Sequence, residues 1–332
     1  MQKRPTIYDV ASVAGVSTGT VSRILNGHGA HAPETAARVQ AAMREMGFHP
    51  RRHSVRDMRQ AKMQPVWLLL PSAQGAADES DAARALNAEL ARGADGFFGG
   101  QGDQYRLSVG KLAGPETIPE DVLKRQAAGV MLRAGAYHPA VMEQLRAIPL
   151  VWVMEGAPPP RGVDVVSVDN VRLGQAAAEK LLAEGHRKIA FLRPRIEDLE
   201  SEARLSGFRF LLRTACIELV ELFSEPHPIT TERIAGFRSR FHADAEGATA
   251  VFVPADDVDF ELACKALHGD ELENGPTLLG VVADADRFRG FGGRVHLLRL
   301  NPERIGWAAA EQLAWRVRHP YSEPRTLLVQ PN

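Results

Sequence analysis

Apolar residues recur at helical spacing in three short segments near the start of the chain. The first stripe occupies positions i, i+3, i+4 and i+7 of an amphipathic helix and consists of Ile7, Val10, Ala11 and Ala14. Thr6 and Asp9 form the pair expected at a helix start, and Gly15 is the residue expected just past a helix end. The pattern therefore predicts a first helix between Thr6 and Gly15.

Two further helices are predicted at short intervals. Ser17 is a capping residue for a second helix, which Asn26 and Gly27 end. A third helix opens at Pro33, a residue favoured in the first helical turn, and closes before Gly47. The first 50 residues, called the headpiece below, are thus predicted to be all helical.

From Val66 onward, short apolar strands alternate with amphipathic segments. The predicted strands are Val66–Leu70, Tyr105–Val109, Val130–Leu132, Leu150–Val153, Val165–Val168, Ile189–Leu192, Ala250–Val253, Leu278–Val282 and a last one near Arg325–Val329. The predicted helices between them are Asp81–Arg92, Val171–Glu184, Glu202–Thr214 and Pro302–Arg318. Such alternation is typical of parallel sheets covered by helices on both faces. The sequence therefore predicts an α/β protein in which a small all-α headpiece precedes an α/β body, residues 64–332.

The composition is that of an ordinary globular protein, with 332 residues, of which 45% are hydrophobic and 24% charged. The longest apolar stretches, such as residues 65–71, are far shorter than the roughly 18 residues of a membrane-spanning helix. The N-terminus shows no signal-peptide pattern. Cys216 and Cys264 have no metal-ligand spacing around them, which indicates buried free thiols in a reducing compartment. We therefore expect a cytoplasmic protein.

The formal net charge of −1 hides two oppositely charged parts. Residues 1–62 hold ten basic and four acidic residues, a balance of +6. The remaining 270 residues hold 30 basic and 37 acidic residues, a balance of −7. A basic headpiece on an acidic body is compatible with nucleic-acid binding by the headpiece alone.

The short turn between the first two predicted helices has the length of a helix-turn-helix, whose second helix lies in the major groove of DNA. Thr18 and Gly19 provide a first turn without bulk, and Arg23 can place its guanidinium fork on a guanine edge. The hydroxyls suited to phosphate oxygens are those of Thr6, Thr20 and Ser22. From pattern alone, the alternative is a small helical interaction bundle with a solvated basic face.

Five short runs in the headpiece carry a family resemblance. They are TIYDVA (6–11), AGVS (14–17), TVSRILNG (20–27), PET (33–35) and GFHP (47–50). Together they closely resemble the DNA-binding domain of LacI/GalR-type transcriptional repressors, which implies that Thr18, Gly19 and Arg23 occupy base-reading positions. The residues that the resemblance places near phosphates are Tyr8, Ser17, Thr20, Ser22 and Asn26. Gly19 departs from that pattern, because a residue without a side chain leaves base reading to Thr18 and Arg23.

Residues 51–63 form a basic segment between two prolines, which composition alone indicates to be an exposed linker. In the resembled family this segment folds into a hinge helix on DNA and pushes a leucine into the minor groove. Met58 is the candidate for that wedge, although the family places its leucine one position earlier, where this chain has Asp57. Arg51 is a further candidate DNA contact.

The body also resembles the periplasmic-binding-protein-like (type I) effector domain of the same family. The resemblance is strongest from Val166 to Leu192 and in the RLSGF motif of residues 204–208. It implies two lobes with a ligand cleft at the carboxyl ends of their strands. Pro158–Pro160 with Gly162 are expected to mark the crossing between lobes. The expected domains are 1–50, 51–63 and 64–332, with a first lobe of about 64–158 and 295–318 and a second of about 162–288 and 322–332.

Arg204 matches the arginine that members of the resembled family direct at their effector. A guanidinium offers five donors in a fixed fork, suited to hydroxyl pairs, carboxylates or phosphates. The alternative for Arg204 is an ion pair at the surface or between the lobes. The other candidate effector contacts are Ser72, Ser201, Asp256 and Asp284.

The effector class stays open, because the chain departs from the family pattern around Asp256 and Asp284. A sugar, a related metabolite or another small molecule all remain candidates. No catalytic residue, metal ligand or cofactor is predicted. The acids at positions 256–261 are explained by a helix start, where the helix dipole favours negative charge.

Three hypotheses follow from the sequence. The first is a homodimeric transcriptional repressor that binds a near-palindromic double-stranded operator and responds to a small-molecule effector. The second is a small-molecule-binding module or enzyme with an incidental helical head. The third is a repressor whose cleft has lost its ligand response.

Salt dependence separates the first hypothesis from the second. A headpiece that neutralises phosphates releases counterions, so we expect affinity for duplex DNA to fall steeply between about 50 and 200 mM salt. Fluorescence anisotropy of a labelled duplex measures this slope. No measurable DNA binding, or an affinity that does not change with salt, would favour the second hypothesis.

Overall fold

The computed structural model describes most of the chain. The described residues are 5–25, 32–46, 48, 63–72, 81–102, 104–135, 137–154, 158–194, 198–224, 229–254, 257–268, 275–282, 285–288, 290–291 and 294–331. The chain divides into two compact units, Met1–Ala61 and Lys62–Asn332, which contain the headpiece and the body. Each unit is described by itself below.

Three helices pack around a small apolar core in the headpiece. They are α1 (Ile7–Ala14), α2 (Thr18–Leu25) and α3 (Pro33–Glu45), as predicted. The buried core consists of Val10, Ala11, Ala14, Val21, Val39 and Ala42. Gly15 ends α1 in the left-handed conformation, with a φ of 63°. Glycine adopts this conformation without a steric penalty, so the chain turns directly from α1 into α2.

Two parallel sheets form the body. The strands are β1 (Gln64–Pro71), β2 (Tyr105–Leu112), β3 (Gly129–Arg133), β4 (Leu150–Val153), β5 (Asp164–Val168), β6 (Lys188–Arg193), β7 (Glu218–Phe223), β8 (Ala250–Val253), β9 (Thr277–Val282), β10 (Val295–Arg299) and β11 (Thr326–Val329). The first sheet has the order β11-β5-β4-β3-β1-β2 and the second β10-β9-β8-β6-β7. The described strand pairs are parallel, which confirms the predicted architecture.

Helices cover both faces of each sheet. The helices of the body are α4 (Asp81–Gly100), α5 (Glu120–Leu123), α6 (Pro139–Leu145), α7 (Asn170–Ala183), α8 (Leu199–Thr214), α9 (Thr231–Asp244), α10 (Asp257–Leu267) and α11 (Pro302–Arg318). In the first lobe, α4 and α11 pack on one face of the six-stranded sheet, and α5 and α6 on the other. In the second lobe, α7 and α8 pack on one face of the five-stranded sheet, and α9 and α10 on the other. Among the described helices, none has the length and apolar character needed to span a membrane.

The structure divides the chain between the lobes differently from the sequence prediction. β5 pairs with β4, with Val153 opposite Val166, so Pro158–Pro160 connect neighbouring strands of one sheet and do not cross between lobes. β11 pairs with β5 in the first sheet, although residues 322–332 were assigned to the second lobe. β10 pairs with β9 in the second sheet, although residues 295–299 were assigned to the first lobe. These assignments were wrong because strand pairing joins residues far apart in sequence and leaves no local signal.

Several strands and helices were not predicted from the sequence. The missed elements are strands β7 and β10 and helices α5, α6 and α9, whereas α10 begins among the acids at positions 256–261, where a helix start was predicted. β7 and β10 lie at the two edges of the second sheet and are largely half-exposed, so they lack the apolar run of a buried strand. Helix α4 extends beyond its predicted end at Arg92, since residues 96–100 form its last turns. Cys216, expected to be buried, is exposed, whereas Cys264 is buried as expected.

In the second lobe, α7 and α8 cross at very short distance through two reciprocal glycines. A Cβ atom on Gly174 of α7 would lie 2.0 Å from the carbonyl oxygen of Arg204 in α8. A Cβ atom on Gly207 of α8 would lie 2.0 Å from the carbonyl oxygen of Val171 in α7. The first lobe repeats this contact between α4 and α11, through Gly93 and Gly306. Only glycine fits at such a crossing, because the two backbones themselves are in contact.

A buried ion pair fastens α11 to the first sheet. The carboxylate of Asp164, at the start of β5, accepts a hydrogen bond from Arg316 Nη2 at 2.7 Å and one from Gln312 Nε2 at 2.9 Å. It also accepts from the backbone N–H of Arg325 at 2.8 Å. Burial opposes ionisation of Asp164, but the hydrogen bonds from Arg316, Gln312 and Arg325 outweigh it and hold its pKa below the usual value. One carboxylate therefore fixes both α11 and the entry to β11.

Substituting Gly174 by alanine tests the close crossing. We expect Gly174→Ala to destabilise the body by about 1–3 kcal/mol or more, because its methyl group would overlap the Arg204 carbonyl oxygen. Gly236→Ala in α9 is the matched control, since no atom lies within 4 Å of its Cβ position. We expect the control to gain about 0.4–1 kcal/mol, because alanine loses less backbone freedom on folding than glycine. Urea denaturation measures the free energy of unfolding of both variants. Equal changes in the two variants would contradict the close contact between α7 and α8 at Gly174.

The stability contributed by Asp164 is expected to depend on pH. Since its pKa is lowered in the folded state, its contribution is fully present above the unfolded-state pKa of about 3.9 and is lost as pH falls below that value. At pH 7 we expect Asp164→Asn to cost about 3–5 kcal/mol, because Arg316 loses its buried partner. The difference between the two proteins in urea denaturation should shrink below about pH 4. A difference that stays constant down to pH 3 would contradict this role of the carboxylate.

Candidate functional site

The start of α2 is fixed by a cap whose groups were predicted from the sequence. Ser17 Oγ accepts a hydrogen bond from the backbone N–H of Thr20 at 3.1 Å, which satisfies one of the free donors at the helix start. The Ser17 and Thr20 hydroxyls are also hydrogen-bonded to each other at 2.9 Å. Ser17 is exposed and Thr20 half-buried. Both hydroxyls therefore stand at the solvent-facing end of the helix where phosphate contacts were predicted.

The outer face of α2 brings the three predicted base-reading residues together. Gly19 and Arg23 are exposed and Thr18 is half-buried, whereas Val21 points into the core. Arg23 Nε donates to the carbonyl oxygen of Gly19 at 3.2 Å. A Cβ atom on Gly19 would lie 3.7 Å from Arg23 Nη2. The guanidinium thus lies back over Gly19, toward the first turn of the helix, and among the described residues only its Nε is seen to donate.

Two candidate residues of α1 differ in what they can offer a phosphate. Tyr8 is exposed, with 72% of its surface accessible, and its ring lies outside the headpiece core. The Thr6 hydroxyl donates to Asp9 Oδ2 at 2.6 Å, and the Thr6 backbone N–H donates to the same oxygen at 2.7 Å. The Asp9 carboxylate therefore occupies both donors of Thr6. A phosphate at Thr6 would compete with this negatively charged cap.

Several predicted DNA contacts lie outside the described part of the chain. Asn26, Arg51 and Met58 fall there, as do Asp57 and the rest of the predicted hinge up to Lys62. Ser22 lies within α2. Their proposed roles stay predictions.

Arg204 lies where the carboxyl ends of strands from both sheets meet. Its Nε donates to Asn170 Oδ1 at 2.9 Å, and Asn170 begins α7 directly after β5 of the first sheet. Its Nη1 donates to the carbonyl oxygen of Pro254, which directly follows β8 of the second sheet. Its Nη2 forms an ion pair with Glu200 Oε2 at 3.1 Å. The guanidinium thus lies where the chain passes from β5 of the first sheet into the second lobe, at the edge where open α/β sheets bind ligands.

The other candidate effector contacts are spread over this edge. Ser201 is buried one turn before Arg204 on α8, and its backbone N–H donates to the capping residue Asp198 at 2.7 Å. Ser72 directly follows β1 in the first sheet, and its backbone N–H donates to the carbonyl oxygen of Leu112 at 3.0 Å. Asp256 and Asp284 lie outside the described residues. The structure therefore brings Ser201 and Arg204 together on one helix and shows Ser72 at the end of a first-lobe strand.

Sequence reasoning missed two residues of this site. Asn170 and Glu200 both bond to Arg204 and were not named as candidates. Glu200 precedes Arg204 by four residues, the spacing at which a glutamate and an arginine pair on a helix, so its signal was present. Asn170 had a weaker signal, as a polar residue just past a buried strand. In the described part of the chain, no group of three or more His, Cys, Asp or Glu residues is arranged to hold a metal ion.

Two family models match the chain. The model for bacterial regulatory proteins of the lacI family matches residues 6–51, which include the helix-turn-helix. The model for periplasmic binding proteins and the sugar binding domain of the LacI family matches residues 116–225, which include Asn170 and Arg204. The exposed face of α2 and the contact between Asn170 and Arg204 therefore lie within matched regions, whereas Ser72 and Pro254 lie outside them.

The chain is also similar to named transcriptional regulators. It is 28% identical over 224 residues to the HTH-type transcriptional regulator CelR of Thermobifida fusca, covering 66% of this chain and 64% of that protein. It is 30% identical over 211 residues to the maltose regulon regulatory protein MalI of Escherichia coli strain K12, covering 62% of this chain and 58% of that protein. These matches span less than two thirds of either relative.

Among solved structures, the chain is similar to the lac repressor dimer bound to operator and the anti-inducer ONPF. The TM-score is 0.64 at 20% sequence identity, and the alignment covers 99% of this chain and 97% of that one. At this level of identity the similarity shows a shared fold. The fold therefore extends over nearly the whole of both chains.

Proposed function

We propose that the chain is a regulator of the lacI family, whose models match residues 6–51 and 116–225, and that it is a transcriptional repressor that binds operator DNA and responds to a small molecule held between its two lobes. Its role is regulatory and not catalytic, and it acts in the cytoplasm. The proposal rests above all on the exposed face of α2, where Arg23 is presented over a glycine.

Specific DNA binding is supported by the chemistry of α2. A helix of this length enters the major groove with its first turns against the base edges. Arg23 can donate two hydrogen bonds to the O6 and N7 acceptors of guanine, the commonest specific contact in this groove. Thr18 offers a hydroxyl and a methyl group, which suit an acceptor or the methyl group of thymine. Ser17 and Thr20, with the helix start, suit a phosphate and fix the register of the helix.

Ligand control is supported by the position of Arg204. Its guanidinium bonds to Asn170, which opens α7 just after β5 of the first sheet, and to Pro254, which follows β8 of the second sheet. A molecule bound at this edge would lie beside the segment that leads from the first sheet into the second lobe, so its binding can depend on how the lobes close. A ligand shifts the equilibrium between two conformations only if it binds them with different affinities. We therefore expect the effector to bind the open and the closed arrangement of the lobes with different affinities.

We further propose that the protein works as a homodimer on a near-palindromic operator. Two-fold symmetry of a dimer is mirrored in the symmetry of its DNA site, and the distance between headpieces sets the half-site spacing. The lac repressor, which shares the fold, is a dimer on its operator in the structure compared above.

Selection of DNA from a random pool tests the proposed function. We expect the purified full-length protein to enrich a near-palindromic sequence and Arg23→Ala to bind that sequence about 1–3 kcal/mol more weakly, with relaxed preference at one base pair per half-site. Repeating the selection with small-molecule panels measures the ligand response. Enrichment of no sequence would overturn the proposal, and unchanged preference in Arg23→Ala would overturn the placement of α2 in the groove.

Lys62→Ala is the matched control for this experiment. Lys62 lies outside the described residues and belongs to the basic segment before the body. We expect its removal to weaken binding to all sequences alike, because a phosphate contact carries no base information. A loss confined to the selected sequence would contradict a phosphate role.

A further inference from the structure

Arg204 carries its own counter-ion at the proposed effector site. Glu200 lies one turn before Arg204 on α8, and its Oε2 is 3.1 Å from Arg204 Nη2. The side chains of Arg204 and Glu200 are only 5% and 18% exposed. The positive charge that the family motif brings to this site is thus neutralised within the same helix.

The two neighbouring ion pairs on α8 are different in kind. Glu202 pairs with Arg193, and Arg209 pairs with Glu221, but Glu202 and Arg209 are far more exposed than Glu200 and Arg204. Exposed pairs of this sort are screened by water and contribute little. The Glu200–Arg204 pair is the buried one, so its charges are screened least.

The remaining bonds of Arg204 show how little of it is open to an anion. Three of its five N–H groups are already donated, to Asn170, Pro254 and Glu200. An incoming carboxylate or phosphate would approach the Glu200 carboxylate as well as the guanidinium. An anion that displaced Glu200 from the guanidinium would leave the Glu200 carboxylate buried beside a second negative charge.

Asn170 supplies an independent sign that the site takes a ligand with oxygen atoms. Its side chain is 3% exposed, and its Oδ1 accepts from Arg204 Nε. The amide nitrogen of the same side chain, Nδ2, is buried and has no hydrogen-bond partner among the described residues. An unpaired buried donor carries a desolvation penalty, which an acceptor oxygen on a ligand would remove.

We propose that Glu200 sets the charge of the effector, so that the site binds an uncharged, hydroxyl-bearing molecule and rejects carboxylates and phosphates. A hydroxyl group can accept from Asn170 Nδ2 and donate to a carboxylate, whereas an ionised carboxylate has no proton to donate and any anion adds a negative charge beside Glu200. This inference rests on the proposed function, in that it takes the Arg204 region as the effector site. It makes Glu200 the residue that determines specificity.

Inorganic phosphate is the first probe of this proposal. We expect the wild-type full-length protein at constant ionic strength to show no phosphate binding that depends on Arg204. We expect Glu200→Gln to bind phosphate at least about tenfold more tightly than wild type, because one nearby like charge is removed. Adding Arg204→Gln to that variant should abolish the gain. Isothermal titration calorimetry and the shift of the thermal unfolding midpoint with phosphate concentration both measure the affinity for phosphate.

Glu202→Gln is the matched control, since it removes a glutamate two residues away whose arginine partner is Arg193. It should leave phosphate binding as in wild type. A gain in Glu202→Gln as large as in Glu200→Gln would overturn the proposal. So would phosphate binding by wild type that Arg204→Gln abolishes. Glu200→Ala removes the same charge without introducing an amide, and it replaces Glu200→Gln in the phosphate titration if that variant does not fold.

Pairs of neutral and anionic sugars form the second arm of the test. We expect any stabilisation of wild type by D-ribose or D-glucose to exceed that by ribose 5-phosphate, glucose 6-phosphate or gluconate. Arg204-dependent stabilisation by the anionic member alone would overturn the proposal. These titrations contain no DNA, so their failure is distinct from that of the proposed function, which depends on the selected operator.

Discussion

The contact between the backbones of α7 and α8 is the constraint on which the proposed effector site depends. Gly174 and Gly207 let the two helices touch, and the Arg204 carbonyl oxygen lies against Gly174. Asn170 begins α7 one turn before Gly174, so the crossing places its side chain next to that of Arg204. A larger residue at either glycine would separate the helices and with them the two polar groups. The same device in the first lobe holds α11 against α4.

This packing places Arg204 in a buried ion pair with Glu200 of the same helix, and not in the surface or inter-lobe pair that the sequence offered as the alternative. The guanidinium also lies beside the residues that follow β5 and β8. Removing the Glu200 carboxylate would leave the Arg204 guanidinium without this opposite charge in a poorly hydrated place. At the proposed effector site a ligand would therefore meet a neutral pair and the amide of Asn170, which has no hydrogen-bond partner among the described residues, and not an isolated cation.

The headpiece was predicted more completely than the body, because its structure depends on local signals. Caps, a left-handed glycine and a helical apolar stripe fixed its three helices within one or two residues. In the body, buried strands with continuous apolar runs were found, whereas the half-exposed edge strands β7 and β10 were not. The bond from Arg23 to the carbonyl oxygen of Gly19 also went unforeseen, although its i, i−4 spacing was visible.

The sequence by itself determined the helix-turn-helix, the alternation of strands and helices, and the opposite charges of headpiece and body. These properties follow from spacing and composition over a few residues. Only the tertiary structure decided that β5 and β11 belong to the first sheet, β10 to the second, and that Arg204 bonds to Asn170 and Pro254. Those partners lie 34 and 50 residues from Arg204 along the chain. Pairing over such distances is selected by the packing of whole helices and sheets, which no local pattern records.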